Sequence, residues 1–383
     1  MDAAPPPPTL PPTLGILGGG QLGRMTALAA VRMGLRVKLL TPDATGPEAA
    51  FADVTVGDWT DPAVLAAWMA GCTAVTVESE WAPADVLAAL PGAPPVRPAP
   101  HTLRLVRHKG RQRTALLQAG LPGPRFTLAA TSAEAWAAVE EFGGRAVLKR
   151  FEGSYDGYGN ATVASREAVE AAWTRLADHD GLLVEAFVPF ETELAVIVAR
   201  GADGAHVTYP VALTEQRDHR CHAVTLPAGL PSAVEQEAQR VALGAVEAVD
   251  GVGVVAVELF LTAAGEVLVN EVAPRPHNTG HVTIEACHTS QFENHVRAAL
   301  GLPLGDPGLR VPAACMVNVL GHTEGPGFPE GLADALCVPG AAVHLYGKTG
   351  SRPRRKMGHV TVTADSSSDA RARAEEAAGL LRL

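Results

Sequence analysis

Two apolar runs, 254–261 and 267–272, flank a short turn at 263–265 and read as a β-hairpin. Polar side chains interrupt both strands: Glu258 on the first, Asn270 and Glu271 on the second. Carboxylates on a largely buried hairpin are costly without a partner. A hard divalent cation such as magnesium suits a set of oxygen donors. The alternative is that they point to solvent from the open face of an antiparallel sheet. Register decides which residues meet. A four-residue turn (263–266) sets Glu258 opposite Glu271, whereas a three-residue turn sets it opposite Asn270 and sends Glu271 to the other face. The loop beyond carries Arg275, His277 and Asn278, donors suited to a small anion. A metal clamp feeding an anion-binding loop points to phosphoryl transfer.

The N-terminal part alternates strand and helix. Apolar residues 13–17 run into Gly18-Gly19-Gly20-Gln21-Leu22-Gly23, a helical pattern over 25–33 and a strand over 37–40. Asp43 lies 20 residues past Gly23. This is the dinucleotide fingerprint in its strand–turn–helix setting and admits an NAD-dependent dehydrogenase. The competing reading is that the glycines and the helix start bind another phosphate. The alternation continues through 54–56, a helix near 62–70 and a strand over 74–77 that meets Glu78-Ser79-Glu80. Those acids stand where ligands bind in open α/β sheets, or one of them caps the helix near Pro83. Residues 91–100, with five prolines, read as a linker. Residues 102–119 read as one helix with Lys109 and Arg113 on one face, ordinarily a solvated basic face.

A second domain then begins. Lys149 inside the apolar strand 146–150 needs an anion beside it. Residues 153–160, GSYDGYGN, lead to a strand over 161–164. They form either a glycine-rich lid over phosphates or a plain turn. A strand over 182–188 carries Glu185 and precedes Glu191 and Glu193, groups suited to an adenine edge and ribose hydroxyls. Helices follow at 232–249, 290–300 and 367–381, and strands at 313–320, 341–346 and 357–363. Between Lys348 and Lys356 stand five positive charges, Lys348, Arg352, Arg354, Arg355 and Lys356. In a chain of net charge −10 such a loop points to an anionic ligand, or is simply solvated.

Composition sets the class. With 383 residues, 47% hydrophobic and 19% charged, the chain is globular and long enough for two or three domains. No apolar run reaches membrane-spanning length, and the acidic balance argues against nucleic-acid binding. The start, MDAAPPPPTLPP, reads as an extended tail and not a signal peptide. Five scattered cysteines without a CxxC pair fit reduced thiols in the cytoplasm. Arginine outnumbers lysine 26 to 5, so lysine is kept for sites needing a compact charge.

In order, GGGQLGRM (18–25), VESEW (77–81), GSYDGYGN (153–160), VELF (257–260), NEVAPRPHNTGH (270–281), SQFENHVRAALGLPLG (290–305) and RRKMGH (354–359) resemble the ATP-grasp superfamily. Within it the chain is most similar to the N5-carboxyaminoimidazole ribonucleotide synthases. The relatives next to these, the formate-dependent glycinamide ribonucleotide transformylases, differ at Gln21, in the YDG loop and at Asn278. The resemblance implies an α/β and α+β fold. A tail (1–12) precedes a Rossmann-like N-terminal domain (13–100), an ATP-grasp domain (101–308) with a mobile lid subdomain (about 124–188), and a small C-terminal β-rich unit (309–383). It implies a ligase that joins bicarbonate to 5-aminoimidazole ribonucleotide at the expense of ATP, through carboxyphosphate or carbon dioxide released from it. The alternatives are the formate-dependent enzyme and a nucleotide-binding protein without turnover.

Carried over by position, Glu258 and Glu271 would hold magnesium, with Asn270 beside them. Lys109, Lys149, Ser154, Gly157, Gly159 and Asn160 would meet ATP phosphates, Glu185 and Val188 the adenine, and Glu193 the ribose. Arg275, His277 and Asn278 would hold bicarbonate, and Tyr155 and Asp156 would close over the reacting groups. Gln21, Leu22, Glu78 or Glu80, Lys348, Arg355 and Lys356 would bind the ribonucleotide. Two departures stand out: Lys109 and Arg113 occupy positions where the family has arginine and then lysine, and Gln216, a further candidate for ATP, stands where many members have histidine. The resemblance also implies a cytoplasmic homodimer whose product passes to a carboxyaminoimidazole ribonucleotide mutase.

Overall fold

The computed structural model describes residues 11–42, 52–153, 158–218 and 220–383. The first sheet is parallel, in the order Asp53–Val56, Arg36–Thr41, Thr13–Leu17, Ala74–Val77. Thr13–Leu17 is buried along its whole length, as an uninterrupted apolar run between two neighbours requires. Strand order reverses between Thr13–Leu17 and Ala74–Val77, so their carboxyl ends open a crevice. The glycine turn leaves one strand there and Glu78 follows the other. Asp43 lies outside the described residues. Within the proline-rich stretch, Val96 bridges Val75 in parallel and so lengthens the sheet's edge.

The single helix expected over 102–119 is two, Pro100–Arg107 and Lys109–Gln118. His108 takes extended backbone angles between them. Its ring accepts the Arg111 N–H at 3.2 Å and stacks on Phe151 at 4.6 Å. No proline marks the break; a tertiary contact makes it.

A second, antiparallel sheet runs Phe126–Ala129, Leu182–Ala186, Ala146–Arg150, Asn160–Val163. Helices Ser132–Glu141 and Arg166–Leu176, capped by Thr131 and Ser165, share its core. The third sheet runs Val267–Ala273, Gly253–Thr262, Phe190–Arg200, Ala212–Arg217, Arg220–Leu226, Ala313–Leu320, Lys356–Ala364, Ala341–Leu345. Its last three strands belong to the C-terminal part of the chain, so one sheet joins the hairpin to the chain's end. Helix Ser232–Ala248 buries an apolar face against the hairpin side, and helix Ser367–Leu380 covers the C-terminal strands.

The hairpin register uses a bulge. At the tip Leu261 faces Val267 and Leu259 faces Val269, the three-residue-turn count, and the register then shifts so that Glu258 faces Glu271. Asn270 is the extra residue. The bulge lets a short turn coexist with a paired set of carboxylates.

His295, on helix Gln291–Leu300, fastens the first sheet to the third. Its Nδ1 accepts the Val254 N–H at 2.9 Å, and its Nε2 lies 2.6 Å from Thr76 Oγ1. A backbone N–H only donates, so the ring proton sits on Nε2 and goes to Thr76, whose hydroxyl donates to Arg97 O at 2.7 Å. Burial pushes His295 down to about 3, so the neutral ring persists in acid. His295→Leu leaves the buried Val254 N–H unpaired and is expected to lower unfolding free energy by about 2–3 kcal/mol at pH 7 in urea titrations. The unfolded imidazole titrates near about 6.5 and the folded one far lower, so the unfolded state binds more protons between. The histidine's advantage is therefore complete above about pH 6.5 and shrinks as pH falls toward 3. The gap between wild type and variant should narrow from pH 7 to pH 5.

Candidate active site

The crevice of the first sheet, the inner face of the second and the hairpin end of the third enclose a cavity of about 1090 Å³. Gln21, Leu22, Glu78 and Glu80 line it from the first. Lys149, Asn160, Glu185 and Val188 line it from the second, and Glu193, Gln216, Glu258, Asn270, Glu271, Arg275, His277, Asn278 and Lys356 from the third. Lys109, Gly159, Lys348 and Arg355 lie outside that lining, and Ser154, Tyr155, Asp156 and Gly157 fall outside the described residues.

The bulge makes the acidic centre. Burial and then the charges of Glu271 and Glu193 push Glu258 up to about 7. Burial alone pushes Glu193 up to about 6. Burial works on Glu271 in the same direction, but Lys109, with Nζ at 2.7 Å, and then Lys149 hold it below the usual carboxylate range. His277 Nε2 stands 3.8 Å from Glu258, and burial followed by the Arg275 and Lys356 charges brings His277 down to about 3, leaving it neutral. Glu258, raised by burial and by the facing Glu271 charge, stands with Glu271 and an amide beside it, an oxygen donor set whose charge a hard divalent cation would offset.

The anion that Lys149 needs comes from within the chain. Glu185 accepts from Lys149 Nζ at 2.6 Å and from Arg113 at 2.6 Å, and all three side chains are buried. Burial opposes its charge, yet the Lys149 and Arg113 charges bring Glu185 down to about 2. Arg113 also donates to Val269 O at 2.6 Å and to Asn270 O at 2.7 Å. The ordinary reading of Lys109 and Arg113 as a solvated basic face is thus overturned. Both point inward, Lys109 to Glu271 and Arg113 to Glu185 and the bulge.

The glycine turn is already filled. Glu78 accepts the Gly20 N–H at 2.8 Å and the Gly23 N–H at 2.8 Å. A Cβ on Gly18 would fall 2.1 Å from Glu78 Cγ, which is why glycine stands there at φ +119°. The carboxylate occupies the place of a pyrophosphate at the helix start, which removes the basis for NAD. Burial raises Glu78, against the Gly23 and Gly20 N–H groups. Glu80 instead pairs with Arg275 at 2.6 Å and 3.3 Å. Burial would raise it, but Arg275 holds it below its ordinary range.

The anion turn follows the hairpin. His277 Nδ1 accepts the Thr279 N–H, so Nε2 carries the proton and faces the cavity. Asn278 exchanges amide hydrogen bonds with Asn318 at 2.6 Å and 2.9 Å. From the basic loop, Lys348 donates to Lys356 O and Arg355 to Gly350 O, each at 2.6 Å. Burial, then Arg355 and Lys356, lower Lys348 to about 8.

Several lining residues were absent from the sequence reading. Phe190 and Phe260 stack at 4.5 Å and 6°, and Arg145 lies over Phe187 at 3.6 Å, next to the backbone of Val188. Gln112 pairs with both the N–H and the C=O of Val272 at 3.0 Å. A glutamine inside a buried helix face is the signal that would have found it, by the argument that singled out Glu258.

Family models match three stretches: the ribonucleotide synthetase preATP-grasp domain over 12–107, the ATP-grasp domain over 114–292, and the phosphoribosylaminoimidazole carboxylase C-terminal domain over 314–373. The N5-carboxyaminoimidazole ribonucleotide synthase of Synechococcus elongatus is 38% identical over 96% of this chain and 93% of its own. The phosphoribosylaminoimidazole carboxylase of Schizosaccharomyces pombe is 43% identical over 92% of this chain, which spans 65% of that enzyme, and the chain spans 64% of a Vigna aconitifolia counterpart. Among solved structures, the N5-carboxyaminoimidazole ribonucleotide synthetase of Thermotoga maritima superposes with TM-score 0.86 at 37% identity, covering 97% of this chain and 99% of that one. An Aspergillus clavatus synthase in complex with ADP and 5-aminoimidazole ribonucleotide gives 0.87 at 33% identity, covering 97% and 98%.

Arg113→Ala strips Glu185 of one of its two cations and leaves two carbonyls at the bulge unpaired. It is expected to cost about 3–5 kcal/mol of stability in urea unfolding, the range for breaking a buried pair from one side.

Proposed function

The chain belongs to the N5-carboxyaminoimidazole ribonucleotide synthase family, and from that premise we propose that it carboxylates 5-aminoimidazole ribonucleotide with bicarbonate and ATP. The observation that carries the reading is one cavity shared by the acidic centre, the cationic lid strand and the anion turn. A bicarbonate oxygen attacks the γ-phosphorus of ATP, the bond to ADP breaks, and carboxyphosphate forms. The substrate amine then attacks the carboxyl carbon, or carbon dioxide released from carboxyphosphate. The C–N bond forms, phosphate departs, and the amine's proton leaves with phosphate or solvent.

The chain's own residues position these groups. Lys149, fixed by Glu185, faces the ATP phosphates together with Gly159 and Asn160, and by the family resemblance Ser154 and Gly157 are further phosphate contacts and Tyr155 and Asp156 act on the reacting groups. The stacked pair Phe190 and Phe260 lies to one side of the base beside Val188, and Glu193 meets the ribose. Arg275, braced by Glu80, and the Nε2–H of His277 hold bicarbonate with Asn278. Gln21, Leu22 and Glu78 face the ribonucleotide, and Lys348, Arg355 and Lys356 its phosphate. Glu258 and Glu271 would hold magnesium, which when bound offsets charge building on the transferring phosphoryl group. The gap between the family matches at 292 and 314 supports the domain limit at 308/309, whereas the first match runs to 107, past the limit drawn at 100/101. Five free cysteines and the lack of any helix long and apolar enough to cross a membrane among the described residues support a cytoplasmic setting. The family resemblance supports a homodimer and a mutase as the next enzyme.

The test is ADP release with bicarbonate or formate against each ribonucleotide acceptor. Bicarbonate with aminoimidazole ribonucleotide is expected to give turnover; turnover only with formate and glycinamide ribonucleotide would sink the reading. Glu271→Gln should lower kcat by about a hundredfold or more, the scale of losing an electrostatic contact to the transition state. It should also abolish the rise in melting temperature that magnesium gives the wild type. An unchanged magnesium shift in that variant would put the metal elsewhere.

A further inference from the structure

Asn318 lies in the strand Ala313–Leu320, a lone amide in an apolar run, buried and outside the cavity lining. Its Nδ2 donates to Cys221 O at 2.9 Å and to Asn278 Oδ1 at 2.6 Å, and its Oδ1 accepts from Asn278 Nδ2 at 2.9 Å. The Cys221 carbonyl only accepts, so it must face the amide nitrogen; a reversed Asn318 would bring two oxygens to 2.9 Å. A backbone carbonyl thus sets the orientation of Asn318, and Asn318 sets that of Asn278. The Asn278 oxygen is taken up by Asn318, while its Nδ2 keeps a second N–H. Asn278 lines the cavity.

The neighbours of Asn318 seat the same turn. Asn318, His359 and His344 stand opposite one another on three adjacent strands. They meet Asn278, His281 and Glu285, which are spaced three and four residues apart along the chain. His281 and His359 have ring centres 4.9 Å apart, and His344 bonds Glu285 at 2.8 Å. On the opposite side Gln291 accepts the His277 N–H at 3.0 Å and donates to His277 O at 2.7 Å. The turn is therefore held from the C-terminal strands by side chains and from helix Gln291–Leu300 by its backbone.

We propose that Asn318 is a positioning residue that fixes the Asn278 amide so that the anion turn offers the one-carbon acid an N–H and not a carbonyl. The inference rests on the bicarbonate reading above. With Arg275 and the Nε2–H of His277, this makes three neighbouring donors for one small anion. Asn318→Asp keeps the shape but removes both donors. A carboxylate oxygen then faces both Cys221 O and Asn278 Oδ1, and turning the Asn278 amide only carries the second clash to the other carboxylate oxygen, so the Asn278 amide loses its fixed seat.

The experiment is steady-state kinetics of the full chain for wild type, Asn318→Asp, Asn278→Ala and the double variant, with melting temperatures recorded. Asn318→Asp is expected to raise KM for bicarbonate about tenfold, the effect of one lost hydrogen bond to an anion. KM for ATP and for the ribonucleotide should stay within about twofold, since their contacts lie elsewhere in the cavity. In the Asn278→Ala background the same change should add nothing, because the cycle removes the partner through which Asn318 acts. If Asn318→Asp does not fold, Asn318→Ala carries the same test with the same expected split. Equal rises in all three KM values, an unchanged bicarbonate KM in a folded variant, or full additivity with Asn278→Ala each overturn the inference. A wild type without bicarbonate-dependent turnover overturns the functional reading as well, so the two failures are distinct.

Discussion

Strand Val267–Ala273 stands at the outer edge of the third sheet, with no strand beyond it among the described residues, so its outward backbone groups must find partners elsewhere. The helix Lys109–Gln118 and the loop after it supply them one at a time. Pro122 O accepts the Val269 N–H, Arg113 takes the carbonyls of Val269 and Asn270, and Gln112 takes both groups of Val272. This side-chain substitute for a strand stabilises a bulge that would otherwise leave buried carbonyls unpaired. The bulge brings Glu258, Asn270 and Glu271 to one cavity. Arg113 also reaches Glu185, so the edge of one sheet and the inner strand of another are tied through one guanidinium.

Charge is organised by pairing anions with the chain's few lysines. Lys109 holds Glu271 and Lys149 holds Glu185, while Glu258 is left with His277, which burial keeps neutral. The uncompensated carboxylate is therefore the one facing the space where a metal would sit. Glu78 and Glu80, two residues apart, part company for the same reason: one finds backbone N–H donors at the glycine turn, the other finds Arg275.

Much of the architecture was legible from pattern. The strands Thr13–Leu17, Ala74–Val77, Ala146–Arg150 and Ala313–Leu320 are apolar runs bounded by turn residues, and periodicity identifies such runs. The acids of the hairpin and Lys149 were legible because a charge in an apolar run demands a partner. The break at His108 was not, since a stack on Phe151 makes it and no local signal does. Asn318 was overlooked although it obeys the same rule as Glu258, because a neutral amide in a strand demands less than a charge.

The sequence by itself determined that this chain alternates strand and helix at its start, carries an acidic hairpin and an anion turn, and resembles one family of ATP-dependent ligases. Those are local facts of spacing and residue type. Only the tertiary structure decided which partner each charge takes. The glycine turn that fits a pyrophosphate is filled by Glu78, 58 residues on, and the lysine that needs an anion receives Glu185, on a neighbouring strand. The hairpin register is decided by an arginine from a distant helix. Pairing energies in a low-dielectric interior depend on distances that residue spacing along a chain does not contain.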